Sequence, residues 1–222
     1  VQPWSAEIPA LYDVLVTLSE PGGRKIEAIP LHTGFREVKI EGGQLLVNGQ
    51  PVLIKGANRH EMDPDGGYVV SEERMIEDIR ILKENNFNAV RTCHYPDDAR
   101  WYALCDRYGL YLVAEANLES HGMGYDEKTL AKNPAYAQAH LERNIRNVRR
   151  NINHPSVIIW SLGNEAGDGP NFDACYDWVK AYDPSRPVHY ERAVYNNGGR
   201  NTDIVCPMYW DYDPVSYTHL RA

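Results

Sequence analysis

The stretch Ser156-Val157-Ile158-Ile159-Trp160-Ser161-Leu162-Gly163-Asn164-Glu165 decides the fold that we expect. Its apolar run predicts a strand that is buried on both faces, as in a parallel sheet. The strand ends on an amide, Asn164, and a carboxylic acid, Glu165. In a parallel α/β barrel, strand ends of this kind build the active site. Glu165 is therefore a candidate proton donor and Asn164 a candidate substrate ligand, although a solvated loop glutamate would also fit these five residues.

Strand and helix patterns alternate along the chain around this stretch. Helical spacing of apolar residues is present at 71–82, 101–108, 133–148 and 172–182. Candidate strands are at 52–58, 88–92, 111–114, 157–160, 188–190 and 204–206. Alternation of this kind predicts a parallel sheet. A doubly wound nucleotide-binding sheet is disfavoured because the sequence has neither Gly-x-Gly-x-x-Gly nor Gly-Lys-Ser/Thr. We predict the α/β class and an incomplete (β/α)8 TIM barrel of about six strands, which implies a C-terminal truncation.

The segment before the barrel has the period of two that is typical of β-strands. Alternation over 12–18, the turn Pro21-Gly22-Gly23 and a return strand from Lys25 predict an antiparallel hairpin. Asn48-Gly49 between apolar runs predicts a second hairpin. Two strands alone are not stable in water, so the first hairpin needs partners upstream or support from the rest of the chain.

Composition excludes several classes of function. The chain has 222 residues, and 43% of them are hydrophobic, which is typical of a soluble globular protein. Its apolar runs are far shorter than the ~20 residues of a membrane helix. The net charge of −8 disfavours nucleic acid as a partner. The start Val1-Gln2-Pro3-Trp4 is unlike a signal peptide, and we expect a cytoplasmic location, although the missing initiator Met leaves export open.

Polar residues follow the predicted strands, which favours a catalytic face. Glu119 and His121 are two residues apart, so in an extended segment their side chains share one side. Such a pair could hold Mg²⁺, or it could be a hydrogen bond that orders a loop. Cys93 and His94 are neighbours whose side chains diverge on a strand, which disfavours Cys-His catalysis. The four cysteines form no Cys-x-x-Cys pair, so we expect buried free thiols. Paired carboxylates remain the best chemistry.

Five separated runs of this sequence resemble glycoside hydrolase family two, and most of all its bacterial β-galactosidases. The runs are residues 34–61, 85–98, 101–122, 153–169 and 183–191. The resemblance implies a TIM barrel that follows antiparallel β-sandwich domains. The expected boundaries are 1–40 for the end of a sandwich domain, 41–214 for the first part of the barrel and 215–222 for a non-native tail.

The resemblance also implies a retaining hydrolase of terminal β-D-galactosyl residues, such as those of lactose. Retaining enzymes use two carboxyl groups about 5–5.5 Å apart. Glu165 matches the general acid/base. The matching nucleophile is a glutamate expected beyond Tyr209, after a seventh strand, and the chain ends before it, so we expect the chain to be inactive alone. His60, His94 and Asn164 match substrate-binding residues, and Tyr209 matches a tyrosine that hydrogen-bonds the nucleophile.

Cofactor and partner expectations follow from the same resemblance. Glu119, His121 and Glu165 match ligands of Mg²⁺. The expected partner is a small carbohydrate, with neither nucleic acid nor membrane, and an intact parent is expected to be a homo-oligomer. Three alternatives stay open: a β-glucuronidase of the same family, a β-mannosidase of the same family, and a non-catalytic sugar-binding fragment.

Overall fold

A computed structural model describes residues 1–196 and 199–209, with the backbone alone for 194–196. The predicted tail 215–222 lies outside the described residues. The strands are β1 (Tyr12–Ser19), β2 (Lys25–Thr33), β3 (Val38–Glu41), β4 (Gln44–Val47), β5 (Gln50–Pro51), β6 (Gly56–Arg59), β7 (Ala89–Thr92), β8 (Tyr111–Glu115), β9 (Val157–Ser161) and β10 (Val188–His189). The α-helices are α1 (Glu72–Glu84), α2 (Ala99–Tyr108), α3 (Ala137–Asn151) and α4 (Pro170–Tyr182).

A parallel sheet with the order β10-β9-β8-β7-β6 organises the chain. The helices α1 to α4 connect its strands, as in the predicted barrel. The apolar run in β9 is buried at every position, so this strand is covered on both faces. The predicted sixth strand at 204–206 is wrong, because Ile204 forms a single bridge to His189. Within the described residues, the parallel sheet therefore has five strands.

The second predicted hairpin is shorter than the apolar pattern indicates. β3, β4 and β5 form an antiparallel sheet around the Asn48-Gly49 turn. β5 ends at Pro51, whose nitrogen has no hydrogen to donate to a ladder. The chain then leaves this sheet and enters the parallel sheet at Gly56, where a Cβ would approach the Ala89 carbonyl oxygen to 3.0 Å. The predicted continuous arm is thus two separate elements.

The main core lies between the parallel sheet and its helices. Its largest fully buried side chains include Trp101, Tyr102, Trp160 and Phe172. The Trp160 indole donates a hydrogen bond of 2.8 Å to Asp183, which satisfies its buried N–H. The free thiols Cys93, Cys105 and Cys175 are buried as expected, whereas Cys206 is half-buried. Among the described helices, none combines the length and the apolarity needed to cross a membrane.

The predicted first hairpin is present, but its apolar residues are exposed. β1 and β2 pair in antiparallel register from Tyr12–Thr33 to Ser19–Lys25. Val14, Leu15 and Ile26 are among the exposed apolar side chains on these strands. The expected domain boundary at residue 40 stays a prediction.

Candidate active site

A buried carboxylate network joins the carboxyl ends of β7, β8 and β9. Glu115 is fully buried and accepts a hydrogen bond of 2.6 Å from Arg91 Nε and another of 2.6 Å from the Ser161 hydroxyl. Its other oxygen lies 2.8 Å from His94 Nδ1. Arg91 Nη2 also donates to the Asn164 side-chain oxygen at 2.8 Å. A buried charge is costly unless it is paired, so the loss of these contacts would be unfavourable. The network therefore holds the three strand ends in a fixed geometry.

Asn164 is held in place from both ends of its amide. Its oxygen accepts from Arg91, and its nitrogen donates to Glu119 at 3.0 Å. Its backbone N–H donates to the Leu118 carbonyl oxygen at 2.8 Å. Gly163 makes this close approach possible, because a Cβ there would lie 2.7 Å from the Leu118 carbonyl oxygen. The structure thus places the predicted substrate ligand Asn164 rigidly beside Glu119.

Glu165 directly follows Asn164 and has a left-handed backbone conformation, with φ of 42°. Such a conformation is costly for glutamate and is typical of functional sites. The Tyr125 hydroxyl donates to its Oε2 at 2.9 Å, and the Tyr209 hydroxyl donates to its Oε1. Burial opposes ionisation of Glu165, but these hydroxyls and the Arg192 charge outweigh it, so its pKa lies below its usual range. The contacts therefore favour the ionised, basic form of Glu165.

A second carboxyl group, Glu191, lies behind Glu165. It follows β10, is 1% exposed and accepts the Glu165 backbone N–H at 2.6 Å. Burial raises the pKa of Glu191 to about 7, although that N–H and Arg192 act in the opposite direction. Glu191 Oε2 lies 3.4 Å from Arg192 Nε. The two carboxyl groups therefore have pKa values moved in opposite directions, which is characteristic of acid/base sites.

The two histidines predicted to bind substrate are neighbours. The rings of His60 and His94 are 5.4 Å apart between centroids and nearly perpendicular, at 88°. His94 is fixed by Glu115, whereas His60 is exposed and lies 3.4 Å from the Tyr95 hydroxyl through its Nδ1. Both follow the carboxyl ends of parallel strands, where the sequence predicts the site.

The predicted Mg²⁺ ligands only partly converge. Glu119 Oε1 and His121 Nδ1 are 3.7 Å apart. However, Glu119, His121 and Glu165 do not bring three ligand atoms within 4.8 Å of one another among the described residues. Both carboxylate oxygens of Glu165 are occupied by tyrosine hydroxyls. This arrangement fits two of the three expected ligands, so the complete Mg²⁺ site stays a prediction.

An open cavity of about 770 Å³ lies along the inner side of the parallel sheet. Its lining includes Arg91, His189 and Glu191 from the sheet, together with apolar residues of β4, β5 and the segment that follows them. A cavity of this size accommodates a small ligand. Of these lining residues, Arg91 belongs to the Glu115 network and Glu191 accepts the Glu165 backbone N–H.

Sequence reasoning missed several residues that shape the site. It did not assign roles to Arg91, Glu115, Tyr125, Ser161 or Glu191. Arg91, Glu115 and Ser161 belong to strands, and they meet only because the parallel register aligns β7, β8 and β9. Their position at or near strand ends is the signal that could have identified them. Tyr209, which is mostly exposed, contacts Glu165. Its predicted contact with a nucleophile stays a prediction.

Comparison with known proteins agrees with this architecture. The pattern of the glycosyl hydrolases family 2 TIM barrel domain matches residues 38–220, and that of glycosyl hydrolases family 2 matches residues 1–36. The chain therefore belongs to glycosyl hydrolase family 2, and the expected incomplete barrel that follows the end of a sandwich domain is confirmed.

Solved structures of uronic-acid glycosidases are similar over most of this chain. A β-D-glucuronidase from Dictyoglomus thermophilum has 28% identity and a TM-score of 0.81 over 96% of this chain and 39% of its own. A β-glucuronidase from Ruminococcus gnavus has 27% identity and a TM-score of 0.80, covering 93% and 37%. A β-galacturonidase from Eisenbergiella tayi has 29% identity and a TM-score of 0.70, covering 86% and 34%. The chain thus spans less than two fifths of the length of these relatives.

Proposed function

We propose that this chain supplies the acid/base side of a retaining β-glycosidase site for terminal β-D-galactosyl residues, with Glu165 as the acid/base. One observation carries the proposal: Glu165 projects from the carboxyl end of a parallel strand, and two tyrosines and a second carboxyl group, Glu191, fix it. Parallel barrels place catalytic residues at this position.

The chemistry requires two protonation states of Glu165. The acid must be protonated when the glycosidic bond breaks and ionised when water attacks the intermediate. The tyrosine hydroxyls and Arg192 lower its pKa, which favours the ionised form that activates water. The negative charge of ionised Glu165 in turn contributes to the raised pKa of the neighbouring Glu191, because two carboxylates repel.

The proposed sugar contacts are Asn164, His60 and His94. Asn164 is held by Arg91 and Glu119, so its amide is pre-oriented toward the site. His94 is similarly oriented by Glu115. Fixed donors and acceptors of this kind suit the hydroxyl groups of a pyranose, because little ordering is needed on binding. Mg²⁺ at Glu119 and His121 remains part of the proposal, and none of these steps requires it.

A uronic-acid substrate is the second candidate, because the similar structures include glucuronidases and a galacturonidase. A uronate carboxylate needs a cationic partner. Arg91 contacts Glu115 and Asn164, and Arg192 lies 3.8 Å from a Glu165 oxygen and 3.4 Å from a Glu191 oxygen. The two arginines beside the candidate acid thus already neutralise carboxylates. This pairing supports a neutral sugar over a uronic acid.

Ligand binding to the 222-residue chain tests the proposal. Saturation-transfer NMR would compare methyl β-D-galactoside, methyl β-D-glucuronide and methyl β-D-mannoside. We expect transfer to the galactoside, competition by free galactose, and loss of the signal in His94→Ala. The matched control is His32→Ala, which removes an exposed histidine of β2 far along the chain from the strand ends. Preferred binding of the glucuronide would favour the uronic-acid candidate, and galactoside binding that survives His94→Ala would contradict the proposed site.

A further inference from the structure

A cluster of metal-binding atoms lies where β6 and β7 end. His60, Cys93 and His94 each place one nitrogen or sulfur atom within 4.8 Å of the other two. The expected divergence of the Cys93 and His94 side chains is therefore wrong, because β7 ends at Thr92 and neither residue lies on the strand. In the part of the chain that the structure describes, this is the one group of three or more His, Cys, Asp or Glu side chains with that separation. It shares no residue with the predicted Mg²⁺ ligands.

The two imidazoles lie side by side in different planes. Their ring centroids are 5.4 Å apart and their planes are nearly perpendicular, at 88°. Zinc bonds of about 2.0–2.3 Å in a tetrahedral site place neighbouring ligand atoms about 3.3–3.6 Å apart. The cluster therefore needs to close by at most about 1.5 Å. His60 is exposed and can make this adjustment by side-chain rotation.

A buried carboxylate supports one of these ligands from behind. Glu115 lies 2.8 Å from His94 Nδ1 and is fixed by Arg91 and Ser161. A carboxylate at this position holds the proton on Nδ1, which leaves the Nε2 lone pair for a metal. This carboxylate–histidine pairing is the usual second shell of zinc-binding histidines.

The donor set determines which metal would bind. A thiolate and two imidazoles suit Zn²⁺ and Co²⁺, whereas Mg²⁺ prefers oxygen ligands and water. Three protein ligands also leave a fourth position for water or another small ligand.

We propose that His60, Cys93 and His94 form a binding site for Zn²⁺ or a similar thiophilic divalent cation. The thiol loses its proton to solvent when the metal–sulfur bond forms, and no electron is transferred. His60 and His94 are also the proposed sugar ligands, so the bound cation and the sugar would compete. That competition rests on the proposed function, whereas metal binding itself does not.

Cobalt titration of the reduced 222-residue chain tests this site. Mg²⁺ would be present in excess to fill oxygen-ligand sites. We expect one equivalent of Co²⁺ to produce tetrahedral d–d bands and a thiolate-to-cobalt charge-transfer band, both abolished by Zn²⁺. Cys93→Ser should lose the charge-transfer band, and His60→Ala should weaken binding at least about tenfold. Cys175→Ser, which removes a buried thiol of α4, is the matched control and should retain the spectrum.

Several outcomes would overturn the assignment. The first is a wild-type chain that is folded by circular dichroism but gives no charge-transfer band. The second is a charge-transfer band that survives in Cys93→Ser. The third is an unchanged affinity for Co²⁺ in His60→Ala, a variant at an exposed position. Adding methyl β-D-galactoside separates the two proposals. If it does not displace a cobalt ion that depends on Cys93, the metal site stands and the sugar assignment of these histidines fails.

Discussion

Glu191 couples the stability of the protein to pH, because it is a buried carboxyl group that holds the backbone of the candidate acid. Burial raises its pKa from 4.5 to about 7. The folded state therefore binds this proton more tightly than the unfolded state does. The resulting contribution to the free energy of unfolding is fully present below pH 4.5 and is lost as pH rises to about 7. Above that pH, the folded protein carries a buried negative charge.

The size of this effect follows from the two pKa values. A tenfold change in proton affinity is worth about 1.4 kcal/mol, so the rise from 4.5 to about 7 corresponds to about 3 kcal/mol. Glutamine at position 191 keeps an oxygen to accept the Glu165 N–H but cannot ionise. As pH rises from acidic to neutral, we expect the free energy of unfolding of Glu191→Gln to increase by about 3 kcal/mol relative to that of wild type.

Urea unfolding followed by tryptophan fluorescence, from about pH 4.5 to about pH 8, measures this difference. Subtracting the two profiles removes the titration of other groups, including Asp97, whose pKa burial also raises to about 7. Glu27→Gln, at an exposed position on β2, controls for the loss of one charge. The reasoning would be refuted if the free energies of unfolding of wild type and Glu191→Gln changed in parallel with pH. It would also be refuted if wild type became more stable relative to Glu191→Gln as pH rises.

Three further predictions concern catalysis, metal binding and packing. The 222-residue chain should not release nitrophenol from nitrophenyl β-D-galactoside. The reason is that Glu191 is buried against the Glu165 backbone and cannot act as a nucleophile. Measurable turnover that is lost in Glu165→Gln would contradict this prediction. Mg²⁺ should raise the melting temperature of the chain, and removing the ion with a chelator should reverse the rise. The variant Glu119→Gln should show no rise. A rise in that variant equal to the wild-type rise would place the ion elsewhere. Gly163→Ala should lower the free energy of unfolding, measured in urea, by about 1–3 kcal/mol, because the added Cβ would lie 2.7 Å from the Leu118 carbonyl oxygen. An unchanged free energy of unfolding in this variant would show that the backbone shifts to accommodate the Cβ.

The sequence predicted the elements whose signals are local. β9 could be recognised from its own residues alone. A strand that is buried on both faces has a continuous run of apolar residues, and β9 has such a run. The bridge at Ile204 and the end of β5 at Pro51 were missed, because pairing depends on neighbours that an apolar run does not identify. Apolar alternation in β1 likewise predicted a strand but not its exposure.

The candidate site shows the same division between local and long-range information. Asn164 and Glu165 were found because they follow a recognisable strand. The Arg91–Glu115 pair spans 24 positions, and only the register of β7 and β8 brings it together. Tyr125 reaches Glu165 from a loop whose path no local pattern specifies. The residues that hold the acid in place therefore required the fold.

Affinity labelling tests the central claim, that Glu165 is the acid/base beside a bound galactosyl group. N-bromoacetyl β-D-galactosylamine carries an electrophilic carbon where a leaving group would lie, and a carboxylate oxygen that attacks it forms an ester and releases bromide. We predict one adduct, located at Glu165 by peptide mass spectrometry, slowed by free galactose and absent in Glu165→Gln. The Cys93→Ser chain, which lacks the nearby thiol, should give the same adduct. Labelling that galactose does not slow, or that leaves Glu165 unmodified in the folded chain, would contradict the account.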